Sequence, residues 1–170
     1  GHAACAYLGF LEGHALIWQA MESDVPRETA LGAMRESGRA LLSTYEGEWT
    51  EGEMEEHIRD LARRFGNRAL GDSVYRVGRD LPRKLAPDDR LIGALRLQLA
   101  AGVEPANTMK AVAAALRFRA VDESSEMFPA DAEFAAFIET EGGRAALAKC
   151  AGLDTEGADR ELADNILSRC

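Results

Sequence analysis

The chain has 170 residues, a formal net charge of −9, 46% hydrophobic and 29% charged residues. That length suits one domain, residues 1–170, able to bury about 70% of the surface its unfolded chain exposes. The acidic balance argues against a general nucleic-acid surface, and no apolar run approaches the roughly 18 to 20 residues of a membrane span. Aromatic residues make up only 6% of the chain, and Ala and Leu dominate, which favours helix over sheet. Cys5, Cys150 and Cys170 are far apart and odd in number, with no C-x-x-C pair, so a reducing cytoplasm is the simplest setting. The start, Gly1-His2-Ala3-Ala4-Cys5, has neither an initiator Met nor the basic region of a signal peptide, so the chain reads as a fragment or a processed product.

No segment alternates with period two, and the elements read as helices throughout. A first helix is expected from about Ala3 to Met21, with Ala6, Leu8, Leu11, Ala15, Ile17 and Trp18 on a broad apolar face. Pro26 suits the first turn of a second helix, with Asp24 just ahead and an end near Tyr45. Thr50-Glu51-Gly52-Glu53 has capping-box spacing and opens a third, to about Phe65, before Gly66-Asn67 breaks the pattern. Asp72 is placed to cap a short fourth helix that stops before Pro82. A fifth runs Leu91–Ala101 with Gly102 to end it, and a sixth runs from Pro105 through Ala120. Residues 121–130 form a loop. Shorter helices follow, split at Gly142-Gly143 and at 152–157. The expected architecture is a compact, irregular all-α multi-helix bundle. It has no Gly-rich turn after a strand, so it lacks the usual dinucleotide site.

The charge is unevenly spread. Between Arg59 and Arg96 there are ten basic residues against five acids, a cationic island of +5 in a chain that is otherwise −14. Within it, Arg76 and Arg79 share a helix face, Asp80 lies four residues after Arg76 in position to orient it, and Pro82 turns the chain to present Arg83 and Lys84. Two guanidiniums and an ammonium converging this way suit a phosphate monoester or a row of hydroxyls. The opposing reading is a set of surface ion pairs of Arg76 and Lys84 with Asp72, Asp80 and Asp88. His2 and His14 are twelve apart, unlike the three- or four-residue spacing of a helical metal pair, so no metal site is expected. His57 reads as a surface or half-buried position, and Trp18 and Trp49 as core or interdomain packing.

Several strings, in order and spacing, resemble one family. They are Gly1-His-Ala-x-x-Ala-Tyr-Leu-Gly9, Gly13-His14, Met34-Arg-Glu-Ser-Gly38, Arg64-Phe-x-Asn67, Asp72-x-Val-x-Arg-Val-Gly-Arg79, Pro82-Arg-Lys-Leu85, Asp89-Arg-Leu-Ile92, Ala113-Ala-Ala-Leu-Arg-Phe-Arg119, Ala145-Ala-Leu-Ala148 and Gly152-Leu-Asp154. Together they resemble the C-terminal domain of mannitol-1-phosphate 5-dehydrogenases, which are polyol-specific long-chain dehydrogenases. The resemblance covers nearly the whole chain and argues that Gly1-His2 is native rather than a cloning remnant. It implies a helical domain like the C-terminal domain of 6-phosphogluconate dehydrogenase-like enzymes, paired with an N-terminal Rossmann domain that binds NAD. It also implies a sugar-phosphate substrate held between the two domains, without metal. The family's catalytic signature is Lys, then Asn five residues later, then His three further on. Only the His falls here, as His2, with a role in orienting substrate, and the Lys general acid/base and the Asn lie upstream. The family's Arg and Lys eight apart, which contact substrate hydroxyls, match Arg76 and Lys84, and Arg79 and Arg83 are candidates for the phosphate. Where phosphate-using members read Arg-x-Pro-Leu-Arg-Lys-Leu, this chain reads Arg79-Asp80-Leu81-Pro82-Arg83-Lys84-Leu85, with Leu and Pro exchanged.

The implied activity is interconversion of mannitol 1-phosphate and fructose 6-phosphate, with the isolated chain inactive because the redox agent sits on the other domain. Two other readings compete. One keeps the family but changes the substrate to mannitol, fructuronate or tagaturonate. The other is a non-catalytic helical binding module.

Overall fold

The structure is a computed structural model that describes residues 1–170. It contains ten α-helices and no strand: α1 (His2–Leu11), α2 (Ile17–Glu22), α3 (Asp24–Thr44), α4 (Glu51–Phe65), α5 (Val74–Gly78), α6 (Leu81–Lys84), α7 (Ile92–Ala100), α8 (Ala106–Leu116), α9 (Pro129–Ala151) and α10 (Arg160–Leu167). A 3-10 turn, Arg68–Leu70, lies between α4 and α5. The all-α, irregular multi-helix architecture matches the expectation. No helix is long and apolar enough to cross a membrane.

The centre is built from α1, α3 and α8. Helix α1 buries Ala3, Ala4, Cys5, Ala6, Tyr7 and Gly9, and α8 buries nearly its whole length from Thr108 to Leu116. Many of these side chains are alanines, and α1 also packs closely on α2. A Cβ added at Gly9 would stand 2.6 Å from the Ala20 Cβ, which explains glycine there. Two buried polar groups tie α3 to its neighbours. The Glu36 carboxylate accepts bonds from the Asn107 and Thr108 N–H groups, at 2.8 and 3.0 Å, and so caps the start of α8. Gln98 on α7 donates to the Ser37 hydroxyl at 2.9 Å.

The expected first helix is two. Residues 12–16 leave the helix because their backbone pairs elsewhere. The Ile17 N–H donates to the Asp72 carbonyl and the Val74 N–H to the Ala15 carbonyl, both at 2.9 Å. Gly13 takes the left-handed conformation, φ 80°, that begins the departure. This cross-link pins the start of α5 against the α1–α2 connection. Helix α4 starts on Thr50 as its spacing predicts: Thr50 Oγ1 accepts from the Glu53 N–H, and the Glu53 side chain accepts from the Thr50 N–H. The cap of α5 is Ser73 rather than Asp72, its hydroxyl accepting from the Arg76 N–H at 3.1 Å. Helix α5 ends at Gly78, and Pro82 falls in the first turn of a separate helix, α6, because Asp80 between them adopts φ 70°, ψ 54°. Helix α8 stops at Leu116, short of the expected Ala120, and Gly142 (φ 85°) breaks α9 where a split was predicted.

Candidate functional site

The α5–α6 corner carries the cluster. Four features hold it. Gly78 lies against Phe118, where a Cβ would come within 2.2 Å of Cζ, so only glycine lets α5 end there. The Tyr7 hydroxyl donates to the Gly78 carbonyl at 3.1 Å. The Lys84 ammonium reaches back across the corner to the carbonyls of Val77 (2.9 Å) and Arg79. The Asp131 carboxylate, from the first turn of α9, accepts the N–H groups of Asp80 (3.0 Å) and Leu81 (2.6 Å).

Around this corner opens a cleft of about 960 Å³ whose lining includes His2, Arg76, Arg79, Arg83 and Lys84. The five residues singled out in the sequence therefore face one space, contributed by the N-terminal end of α1, by α5 and by α6. Asp72, Asp80, Asp88 and Asp89 line it too, as do Arg90 and Phe128. His2 stacks on Phe65, ring centroids 4.4 Å apart and planes 4° from parallel, with Nε2 3.6 Å from an Asp72 oxygen and without a hydrogen-bond partner. Burial pushes its pKa down to about 4, helped by the chain's amino group, Arg76 and Lys84. The burial component acts whether or not residue 1 carries a free amine. His2 is thus a neutral imidazole near pH 7.

The cations are not equivalent. Arg76 pairs with Asp72, not with Asp80 as its spacing had suggested. Asp80 instead binds Arg83 at 2.5 Å, and Arg83 also approaches Asp89 at 3.5 Å. Arg90 pairs with Asp89 at 2.8 Å. Lys84 is 4% exposed and has no carboxylate partner. Desolvation, then Arg90 and Arg83, lowers its pKa to about 8, against the opposing pull of Asp131 and Asp80. Arg79 alone of the guanidiniums in the cleft makes no ion pair. It lies 5.7 Å from the Tyr75 ring centroid and 5.6 Å from that of Phe128. The ion-pair reading of Arg76 and Lys84 therefore holds for Arg76 and fails for Lys84.

A family model described as the mannitol dehydrogenase C-terminal domain matches residues 1–157. The chain belongs to the mannitol dehydrogenase C-terminal domain family. Asp72, expected as a helix cap or as an ion-pair partner of Arg76, holds Arg76 and stands 3.6 Å from His2 Nε2. One support of the cleft went unread in the sequence. Asp131 sits 50 residues from Leu81 in an ordinary first helical turn, and no local pattern marks it as the support of α6.

The remaining candidates lie elsewhere. His14 is beyond the far end of α1, bonded to Glu12 at 3.3 Å, and lines a second cleft with Phe10, Tyr75 and Arg119. His57 is exposed on α4. No three His, Cys, Asp or Glu side chains form a metal-holding group. Trp49 is 48% exposed and so is not core, whereas Trp18 is half-buried beneath the Arg68 guanidinium. The three thiols are unpaired, and Cys5 is fully buried, which pushes its pKa up to about 12.

Proposed function

We propose that this chain is the substrate-binding domain of an NAD-dependent polyol dehydrogenase that interconverts mannitol 1-phosphate and fructose 6-phosphate. The observation that carries the reading is the convergence of His2, Arg76, Lys84 and the unpaired Arg79 on one cleft. A dinucleotide does not fit this chain's own residues, because there is no strand and no Gly-rich strand-to-helix turn to cradle a pyrophosphate. In this reading NAD sits on an N-terminal Rossmann domain, which accepts the hydride, and a lysine from that side takes the hydroxyl proton.

The residues here supply position. Neutral His2 offers an unpartnered Nε2 to a substrate hydroxyl. Asp72 fixes Arg76, whose remaining N–H groups face the cleft as donors to hydroxyls. Lys84 uses two of its three N–H groups on Val77 and Arg79 carbonyls and keeps one for substrate. Arg79, without a competing carboxylate, is the first candidate for the phosphate, and Arg83 the second.

A specific observation favours a second reading within the family. Asp72, Asp80, Asp88 and Asp89 line the same cleft, nearly balancing its cations, and carboxylates accept hydroxyl hydrogen bonds while repelling a phosphate dianion. An unphosphorylated polyol or a hexuronate is the alternative substrate. Steady-state kinetics of the full-length enzyme with mannitol 1-phosphate, mannitol and fructuronate separates the two. A kcat/KM for mannitol no lower than that for mannitol 1-phosphate would refute the phosphate assignment. Loss of substrate affinity in His2→Asn, Arg76→Ala and Lys84→Met, with the NAD KM unchanged, is expected on either reading.

A further inference from the structure

We propose that Asp131 is a positioning residue for substrate binding, acting through the α5–α6 corner: its buried carboxylate fixes the backbone that carries Arg79 and Lys84. The inference rests on the cleft being the substrate site.

Asp131 is 2% exposed, yet it touches no substrate-facing side chain directly; its oxygens take the N–H groups of Asp80 and Leu81. Those two groups flank the one sharp backbone feature of the cleft. Asp80 holds φ 70°, a region an L-residue occupies at a cost unless something outside it compensates. Asp80 makes no side-chain cap bond to this four-residue helix, whose first residue Leu81 is fully buried, and the carboxylate from α9 takes the N–H groups instead. The order Leu81-Pro82 is part of the device, because a proline at 81 would have no N–H to donate at 2.6 Å.

The consequence reaches both cations. The Arg79 carbonyl and the Val77 carbonyl are where Lys84 Nζ is anchored, so the turn at Asp80 sets both the place of the Arg79 side chain and the direction of the free Lys84 N–H. Moving that turn by an ångström moves two substrate donors together, and misplacement of that size costs large factors in rate. Asp131 also acts through charge. Around Lys84 stand Arg83 on α6, Arg90 in the following turn, Arg76 and Asp72 at α5, His2 on α1, Asp80 in the corner and Asp131 on α9. Of these, Asp131 and Asp80 favour the charged ammonium and Arg90 and Arg83 oppose it.

The test uses the full-length enzyme with whichever substrate it turns over best. Asp131→Asn keeps the shape but cannot accept both N–H groups as the carboxylate does. The expected result is a rise of about tenfold or more in substrate KM, with the nicotinamide-cofactor KM within about twofold of wild type. The alkaline limb of kcat/KM should also move to lower pH, since Lys84 loses a favourable negative charge and gives up its proton sooner. A substrate KM that does not change, or substrate and cofactor KM rising equally, would overturn the proposal. If Asp131→Asn does not fold, Asp80→Gly/Asp131→Asn is compared with Asp80→Gly alone. Glycine tolerates the left-handed backbone, but the Leu81 N–H still loses its carboxylate acceptor, so substrate KM must still rise with the cofactor KM unchanged; an unchanged substrate KM overturns the proposal. If His2→Asn, Arg76→Ala and Lys84→Met leave substrate KM untouched, it is the site assignment that fails, and Asp131 with it. If they raise KM while Asp131→Asn does not, only the role of Asp131 falls.

Discussion

Arg79 and Arg83 offer a quantitative contrast, because both face the cleft and only one is already occupied. Arg83 is bound to Asp80 at 2.5 Å and lies 3.5 Å from Asp89, so a phosphate must compete with two carboxylates for its donors. Arg79 has no ion pair and rests beside two aromatic rings, which leaves its fork free for a bidentate contact. A charged hydrogen bond is worth about 1.5 to 3 kcal/mol, so Arg79→Ala should lower kcat/KM for mannitol 1-phosphate roughly ten- to hundredfold. Arg83→Ala should cost less than about fivefold, since removing it also releases Asp80 and Asp89 from a partner rather than emptying a dedicated subsite. On unphosphorylated mannitol, Arg79→Ala should change kcat/KM by less than about threefold, as only the hydroxyl contacts remain. Initial rates of nicotinamide reduction by the full-length enzyme, taken with both substrates across a concentration series, give all of these values. Equal losses on the two substrates would remove Arg79 from the phosphate site. A larger loss at Arg83 than at Arg79 would refute the argument from charge pairing.

Lys84 predicts a pH dependence of stability. The unfolded chain holds its proton to about 10.5, whereas the folded protein releases it near 8, so between those values unfolding takes up a proton and rising pH favours the folded state. The stability of wild type relative to Lys84→Met should therefore increase by up to about 3 kcal/mol from pH 8 to 10.5, measured by urea unfolding at fixed temperature; a flat difference refutes the lowered pKa. His2 gives a trend of the same sign in acid. Its folded pKa near 4 lies below the ordinary imidazole value of 6.5, so the stabilisation present above 6.5 is lost as pH falls toward 4, and His2→Asn should flatten that part of the profile in the full-length protein. Gly78→Ala forces a methyl against Phe118 and should lower stability by about 1 to 3 kcal/mol with a matching fall in Tm. Glu36→Gln removes a buried carboxylate from two backbone donors and the Asn107 and Thr108 side chains, and should cost about 1 to 3 kcal/mol in denaturant unfolding.

The sequence was most readable where local chemistry decides the outcome. Thr50 and Glu53 form the capping box that their spacing describes, and Gly142 breaks α9 because its backbone takes φ 85°. It was least readable where tertiary pairing overrides a helical pattern. The apolar residues from Ala3 to Met21 keep a helical period, but the Ala15 carbonyl and the Ile17 N–H are used by residues 72–74, and no property of positions 12–16 alone reports a partner some 60 residues away. The same limit applied at the site. Convergence of Arg76, Arg79, Arg83 and Lys84 was read from helical spacing and the Pro82 turn, and the resemblance added His2. Spacing also supplied Asp80 to orient Arg76, because it assumed one continuous helix. Breaking that helix at Gly78 sends Asp80 to Arg83 and leaves Arg76 to Asp72.

That exchange of partners changes what the cationic island does. A net +5 over residues 59–96 suggests a broad positive field, yet much of it is spent locally: Arg63 on Asp60, Arg68 on Glu22, Arg76 on Asp72 and Arg83 on Asp80. Long-range attraction of an anion into an acidic protein is correspondingly weak and further screened by salt. What remains is a short-range device: a corner, braced by Tyr7, Phe118 and Asp131, that presents one unpaired guanidinium, one ammonium with a single N–H left and one neutral imidazole. Such a site discriminates by geometry more than by charge. Raising ionic strength from 50 to 500 mM should therefore change KM for the preferred substrate by only a few fold, whereas shifting the corner through Asp131 or Gly78 should change it by an order of magnitude. A steep salt dependence with little effect of the corner variants would show that the field, not the frame, holds the substrate.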